Sequence, residues 1–309
     1  MNLAQQAERY LTQATSRKRG PIGISSTAGY GSYIRRWIVP ELGHLDLADV
    51  KPSTVKPLVE KMIVAGLSAS TVNLVIGSVK RIVKSAVNEE GEPLYPRVWD
   101  NSFMDVPVIN KADQDAPTMA VEALQAALGR ATGQNKALYT MLAASGARIS
   151  ELRALRAKPE TDTDSFWKPG TATIYVRSTF AHERYQPWPK TDSGIREIDL
   201  HPEVNTYLMQ AGLPEAGWLF RGIDNPDSHY LQATADRHLK QDGIDTGYHS
   251  FRRFRITHLE MQNVPNGLQR YWTGHAARDV HESYIKMGEN IILRKEWAVK
   301  AGLGFEIPK

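Results

Sequence analysis

The sequence predicts a mainly α-helical chain with a small β-sheet or hairpin (α+β), divided into two domains. Three observations carry that reading. Apolar residues recur at helical spacing through residues 1–88. A stretch punctuated by prolines, 89–117, sustains no helical period. Alternating strand patterns then stand at 171–177 (TATIYVR) and 195–200 (IREIDL), inside otherwise helical sequence. A chain of 309 residues suffices for two domains with cores of their own. The expected boundaries are 1–88 for a helical domain, 89–117 for a linker, and 118–309 for a second domain whose tail covers about 289–309.

The elements follow in order. Leu3, Ala7, Leu11 and Ala14 repeat at helix spacing, and R17-K-R-G-P-I-G breaks the pattern. Tyr30, Tyr33, Ile34, Trp37 and Ile38 form a second stripe, which Pro40 is expected to end. Ser53 is expected to cap a third helix carrying Val55, Leu58, Val59, Met62 and Ile63. Ser70 is expected to cap a fourth, with Val72, Val75, Ile76, Val79, Ile82, Val83 and Ala86 inward and Lys80, Arg81 and Lys84 on the other side. Pro93, Pro96, Pro107 and Pro117, with several acids, mark the linker. Thr118 is expected to cap a helix with Val121, Leu124 and Leu128, and a further helix over 137–144 stops at Ser145-Gly146. K190-T-D-S-G194 is the turn before the second strand, and the remainder reads as helical. No internal repeat or low-complexity tract is present.

Hydrophobic residues make up 41% and charged residues 23%, ordinary for a globular chain. No apolar run approaches the ~20 residues of a membrane span. The opening MNLAQQAERYLTQ lacks the apolar run of a signal peptide, so a cytoplasmic location is expected. The absence of cysteine excludes disulfides, thiolate metal sites and a cysteine nucleophile. The net charge of +4 is unevenly spread: residues 1–88 hold 12 Lys+Arg against 5 Asp+Glu, 89–111 hold 2 against 5, and 112–309 hold 24 of each. A basic excess confined to the N-terminal part suits a module that grips a polyanion. Lys80, Arg81 and Lys84 opposite an apolar face fit a helix lying along phosphates, and equally a solvated surface helix.

Chemistry concentrates near the C-terminus. His249 and Arg252, in H249-S-F-R252-R253, are three apart and share one helix face. His275, in W272-T-G-H275, lies 23 residues after Arg252, and Tyr284, in H281-E-S-Y284, nine after His275. Arg148 stands upstream in G146-A-R-I-S-E151-L. Two arginines can clamp a phosphate, two imidazoles can donate or move protons, and a tyrosine oxygen can attack. A phenol has a pKa of ~10, so it needs cations to ionise near neutrality. Each piece alone has a plainer reading: Tyr284 is one of 12 tyrosines, and Arg148 could be a surface arginine paired with Glu151. Four histidines (His249, His258, His275, His281) crowd this region, but no pair has metal-helix spacing with a nearby glutamate. No metal and no other cofactor is expected.

Taken together, the set resembles the catalytic signature of the tyrosine recombinases, the phage integrase family. The resemblance covers nearly the whole chain. G29-Y-G-S-Y-I-R-R-W-I-V-P-E-L-G43 looks like the helix-to-loop passage of that family's core-binding domain, and P189-K-T-x-x-x-x-R-x-I-x-L looks like its catalytic β-hairpin. It implies a core-type DNA-binding domain and a catalytic domain forming a C-shaped clamp on double-stranded DNA. It implies that Tyr284 attacks a phosphodiester to form a 3′-phosphotyrosyl bond, while Arg148, Arg252 and His275 stabilise the transition state. His249 would assist proton transfer, Lys190 would protonate the leaving 5′-oxygen, and Glu151 would support Arg148 from behind. The implied activity is site-specific recombination or integration for a phage, prophage or other mobile element. The implied assembly is a tetramer on two DNA sites in the bacterial nucleoid, with the tail docking on a neighbouring protomer. Lys80, Arg81, Lys84 and Arg253 are the expected DNA contacts, and Arg255 reads in the same way. His258 reads as structural, and the role of His281 stays open. Lys168 is a lesser candidate for the lysine, because strand context does not follow it. Trp272 departs from the leucine usual before Gly-His. The small arm-binding domain of some phage integrases is expected to be absent. Two alternatives stand beside this reading: a type IB topoisomerase, which religates the same strand, and a non-catalytic DNA-binding protein on the same scaffold.

Overall fold

The computed structural model describes residues 1–18, 22–110, 117–189, 192–276 and 287–308. They fall into two compact units, Met1–Gln114 and Asp115–Lys309.

In the first unit, α1 (Leu3–Ser16), α2 (Ile24–Tyr33), α3 (Val39–Leu42), α4 (Pro52–Val64) and α5 (Ala69–Lys84) enclose a core of Leu3, Ile38, Leu47, Leu58, Met62, Ile76 and Ile82. Pro40 does not end the second helical stripe. Ile34–Ile38 widen into a π turn in which the Val39 N–H reaches the Ile34 carbonyl, and the helix runs on to Leu42. A proline has no N–H to donate, and the wider turn accommodates it. Two expected caps shift. Lys51, followed by Pro52, precedes α4, and the Thr54 Oγ1 accepts the Lys51 N–H at 2.9 Å. Ser68, not Ser70, caps α5 by accepting the Thr71 N–H. Residues 89–107, within the stretch that reads as a linker, strap back onto this unit. The Leu94 N–H donates to the Ala86 carbonyl, and Arg97 donates to the carbonyls of Leu47 and Val50. Met104 is fully buried.

The second unit begins with α6 (Val121–Arg130), whose N-cap position is Ala120, not Thr118. Next comes α7 (Gly133–Ser145), buried on every side from Ala137 to Ser145. Such a helix has nowhere to stand but the centre of a core. Gly146 ends it in the left-handed conformation, φ 66°. After α8 (Ile149–Leu152), four strands form one sheet: β1 (Leu155–Arg156), β2 (Ser165–Lys168), β3 (Thr173–Val176) and β6 (Arg196–Asp199), in the order β1-β2-β3-β6. The β1/β2 pair is parallel and the others antiparallel, with Val176 opposite Arg196 and Thr173 opposite Asp199. The two strands legible in the sequence therefore pair directly. A second hairpin, β4 (Thr179–Ala181) and β5 (Arg184–Gln186), is inserted between them. Helices α9 (Pro202–Gln210), α10 (Gln232–Gln241), α11 (His249–Met261) and α12 (Asn266–Thr273) follow, and α13 (Ile291–Lys300) closes the described chain. Lys168 ends β2 and pairs with Thr173, so it does have a strand after it.

In the single chain the tail lies against its own unit. Ala298, Ala301, Leu303 and Phe305 enter the core of the second unit, with Trp297 and Ile307 against it. The tail is part of its own domain.

Candidate active site

The end of α7 starts the site. Gly146 turns the chain so that Arg148 becomes the N-cap residue of α8. Glu151, on the first turn of α8, accepts the Arg148 backbone N–H and its Nη1, both at 2.8 Å. Its carboxylate, 3% exposed, also takes both terminal nitrogens of Arg196, at 2.8 and 3.1 Å. Burial would raise the Glu151 pKa, but the Arg196 and Arg148 guanidiniums overcome it and hold it at about 2. Glu151 is thus a permanent anion that fixes Arg148, whose side chain stays 39% exposed.

Helix α11 packs on α7 through Tyr139 and Phe251, ring centroids 5.6 Å apart. This brings Arg252 to the α7 terminus, where its Nη1 donates to the Gly146 carbonyl at 2.9 Å. Its Nη2 donates to the Thr273 carbonyl at the end of α12 and to His275 Nε2 at 3.0 Å. Burial, then the nearby Arg148 charge, lowers the Arg252 pKa to about 10. His275 Nδ1 lies 3.2 Å from Thr273 Oγ1, whose own hydrogen goes to the Gln269 carbonyl. That arrangement suits a neutral ring with its proton on Nδ1. Desolvation and the charges of Arg252 and Arg148 depress the His275 pKa to about 4. His249, exposed at the start of α11, is lowered as well, by desolvation and by Arg252, Arg253 and Arg148. Two guanidiniums (Arg148, Arg196) therefore bind one carboxylate, Arg252 adds a third positive charge near it, and both imidazoles are biased to neutrality.

The structure brings Arg148, Glu151, His249, Arg252 and His275 to one place. Lys190, His281 and Tyr284 lie outside the described residues. Arg253 Nε donates to the Pro117 carbonyl at 2.7 Å, a bond within its own unit. Arg255 is no surface contact: it is 2% exposed and donates to the Gly302 carbonyl at 2.8 Å, holding the tail. His258 is structural, with Nε2 2.8 Å from the Ala301 carbonyl. In the first unit, Lys80 is turned onto Asn101 Oδ1 at 2.6 Å and stands 5.9 Å from the Trp99 ring. Arg81 lies over Tyr30 at 4.9 Å, and Lys84 is exposed. Among the described residues no group of three His, Asp or Glu could hold a metal ion.

Sequence reasoning gave Arg196 no role. Its signal was its phase: it shares a strand face with Ile198, which is core, so its charge had to meet a buried partner. Trp272 is explained by the same strand, since its Nε1 donates to the buried Asp199 carboxylate at 3.0 Å while its carbonyl accepts from Arg196 Nε at 2.7 Å. A leucine could pack there but could not bond Asp199.

No protein-family model matches the sequence, and no curated protein matches it. Solved structures do. The Tn1549 transposon integrase in complex with a circular intermediate DNA matches with a TM-score of 0.68 at 20% identity, over 96% of this chain and 94% of that one. A lambda integrase dimer bound to a COC′ core site matches with a TM-score of 0.62 at 12% identity, over 100% and 99%. A lambda integrase tetramer bound to a Holliday junction gives 0.63 at 15%, over 90% and 78%. The chain has the fold of these integrases, α+β with a small sheet, and at these identities the likeness is one of fold. No described helix is long and apolar enough to cross a membrane.

Proposed function

We propose that the chain is a site-specific DNA recombinase or integrase of a mobile element, cleaving and rejoining strands through a 3′-phosphotyrosyl intermediate. One observation carries the reading. Arg252 is 5% exposed and bonded to two carbonyls and a neutral imidazole, with no carboxylate paired to it among the described residues. A buried cation with no ion pair of its own is costly, and Arg148 beside it adds a second positive charge open to solvent. A phosphodiester supplies the missing anion, and its non-bridging oxygens match guanidinium forks. The integrases of like fold are described in complex with DNA, which supports the same substrate.

In this mechanism the Tyr284 oxygen attacks the phosphorus and loses its proton with help from His249. The bond to the 5′-oxygen breaks, and Lys190 gives that oxygen its proton. Arg148, Arg252 and His275 stabilise the charge on the pentavalent transition state, each such interaction being worth about 10²–10³ in rate. The 5′-hydroxyl of a partner strand then reverses the step on the new phosphotyrosine. The bond energy is conserved, so no ATP is consumed. The exposed Lys84 and the neighbouring Arg81 are the proposed DNA-backbone contacts of the first unit. The test is Tyr284→Phe on a nicked suicide substrate. The variant should bind DNA as wild type does and form no covalent adduct on denaturing gels, and adducts that persist would assign the attack to another residue.

A further inference from the structure

The last turn of α12 meets β6 through a set of charges that the proposed chemistry does not use. Asp199, whose side chain is fully buried, accepts from three donors. Its Oδ2 takes the Trp272 indole N–H at 3.0 Å and Arg294 Nε at 2.9 Å, and its Oδ1 pairs with Lys295 at 2.8 Å. Arg294, on α13 and 1% exposed, also pairs through Nη2 with Glu197. The Tyr271 hydroxyl accepts the Glu197 backbone N–H and Arg294 Nη1, both at 3.1 Å. Two acids and two cations balance, so the set carries no net charge into the interior. Two consecutive side chains of α12, Tyr271 and Trp272, are thereby fastened to one strand.

The backbone of that same turn holds the site. The last carbonyls of a helix have no partner within it and carry partial negative charge. In α12 guanidiniums take them: the Trp272 carbonyl accepts from Arg196 Nε at 2.7 Å, and the Thr273 carbonyl from Arg252 Nη2. Arg196 passes so close to Gly274, the left-handed residue that ends the helix, that an added Cβ would come within 2.9 Å of its Nη1. From Asp199 the contacts run through Trp272, Arg196 and Glu151 to Arg148, in steps of 3.0, 2.7, 2.8 and 2.8 Å. Trp272 touches both ends of β6, Asp199 with its ring and Arg196 with its carbonyl. Apolar packing has no preferred direction, so a leucine at 272 would fill space without fixing where the helix ends along the strand. A hydrogen bond weakens steeply once its geometry is lost, and the acceptor here is a buried carboxylate. We infer that Asp199 and Trp272 are positioning residues of the recombinase site proposed above, a reading on which this rests: their bond fixes the end of α12 against β6, and the carbonyls of that end set where Arg196 and Arg252 stand.

The experiment uses the full-length protein and the variant Trp272→Phe, which keeps an aromatic ring and loses the N–H. Leu303→Ala, in the core of the same unit, is the control for lost stability. On saturating nicked substrate, Trp272→Phe should form covalent adduct about 10²-fold more slowly at unchanged DNA affinity, the loss expected of a clamp displaced by about 1 Å. Leu303→Ala should melt lower and cleave at the wild-type rate at temperatures where it is folded. Asp199→Asn keeps an oxygen for the indole, and Lys295 can turn to the Thr171 carbonyl and Thr173 Oγ1 that it already contacts. That variant should therefore cleave faster than Trp272→Phe. A second readout needs no catalysis. Arg252 and His275 are held by the same helix end, so the NMR midpoint of the His275 ring, about 4 in wild type, should rise by about one unit in Trp272→Phe and stay in place in Leu303→Ala. If the smaller ring prevents folding, Trp272→benzothienylalanine, which keeps the bicyclic ring and lacks the N–H, carries the same expectations. The inference is overturned if removing the N–H leaves the His275 midpoint where it was, if Leu303→Ala reproduces both effects, or if Asp199→Asn is as slow as Trp272→Phe. A wild-type protein that forms no adduct would count against the recombinase reading instead, and the His275 midpoint would still decide the positioning role.

Discussion

Glu151→Gln isolates the electrostatic centre of the second unit. The carboxylate is 3% exposed and balances Arg196, whose side chain is fully buried, and Arg148. Its pKa of about 2 against an ordinary 4.5 corresponds to about 3 kcal/mol of stability at pH 7. Breaking a buried ion pair from one side costs about 3–5 kcal/mol, which agrees. The sign of the pH dependence follows from the depressed pKa. The contribution is complete above pH 4.5 and is lost as pH falls through 2, because the unfolded chain takes up the proton first. Urea unfolding of wild type and Glu151→Gln at pH 7 should therefore differ by about 3 kcal/mol, and the gap should narrow by about 1 kcal/mol at pH 3.5. Arg148, left with one of its two acceptor oxygens and facing an amide NH2 in place of the other, should also clamp phosphate poorly, and adduct formation should fall. A stability gap that is negligible at pH 7, or one that widens as the solution is acidified, would refute the assignment of Glu151 as the buried counter-ion.

Three further outcomes are expected. His275, with a pKa lowered to about 4, should remain neutral through the physiological range, so an NMR titration of its ring should show no midpoint between pH 6 and 8. Lys84→Ala should flatten the salt dependence of DNA binding by about one unit for each phosphate the lysine neutralises, whereas Lys80→Ala should act mainly on stability, because Lys80 is bonded to Asn101; equal salt slopes for both variants would contradict the distinction. Truncation after Gly288 should leave Asp199 buried without Arg294 and Lys295 and remove Leu303 and Phe305 from the core, so the product should be insoluble or melt far below wild type, and a well-folded truncated protein would show that the tail is dispensable.

The sequence by itself determined what local periodicity and residue chemistry can carry. The helical stripes of Leu3 to Ala14 and Val72 to Val83, the stop at Gly146, and the strand patterns at 171–177 and 195–200 are all short-range patterns, and they stand in the structure. The arginines and histidines of the candidate site were legible for a different reason: their order and spacing resemble a known family's signature, and folding brings Arg148, His249, Arg252 and His275 together. Caps were misread at Ser53, Ser70 and Thr118 because the backbone direction on entering the helix, not the nearest hydroxyl, selects the cap position: Ser68 holds it at α5, but Lys51 and Ala120 hold it at α4 and α6. The strap over 89–107 was invisible because its order comes from Arg97 reaching carbonyls some 50 residues away, which no local pattern encodes. The same holds for Arg196 with Glu151 and for Arg294 with Asp199. Burial removes the water that would otherwise solvate those charges, so each guanidinium must find an acid brought to it by folding. Which acid that is was decided only by the packing of β6 between α8, α12 and α13.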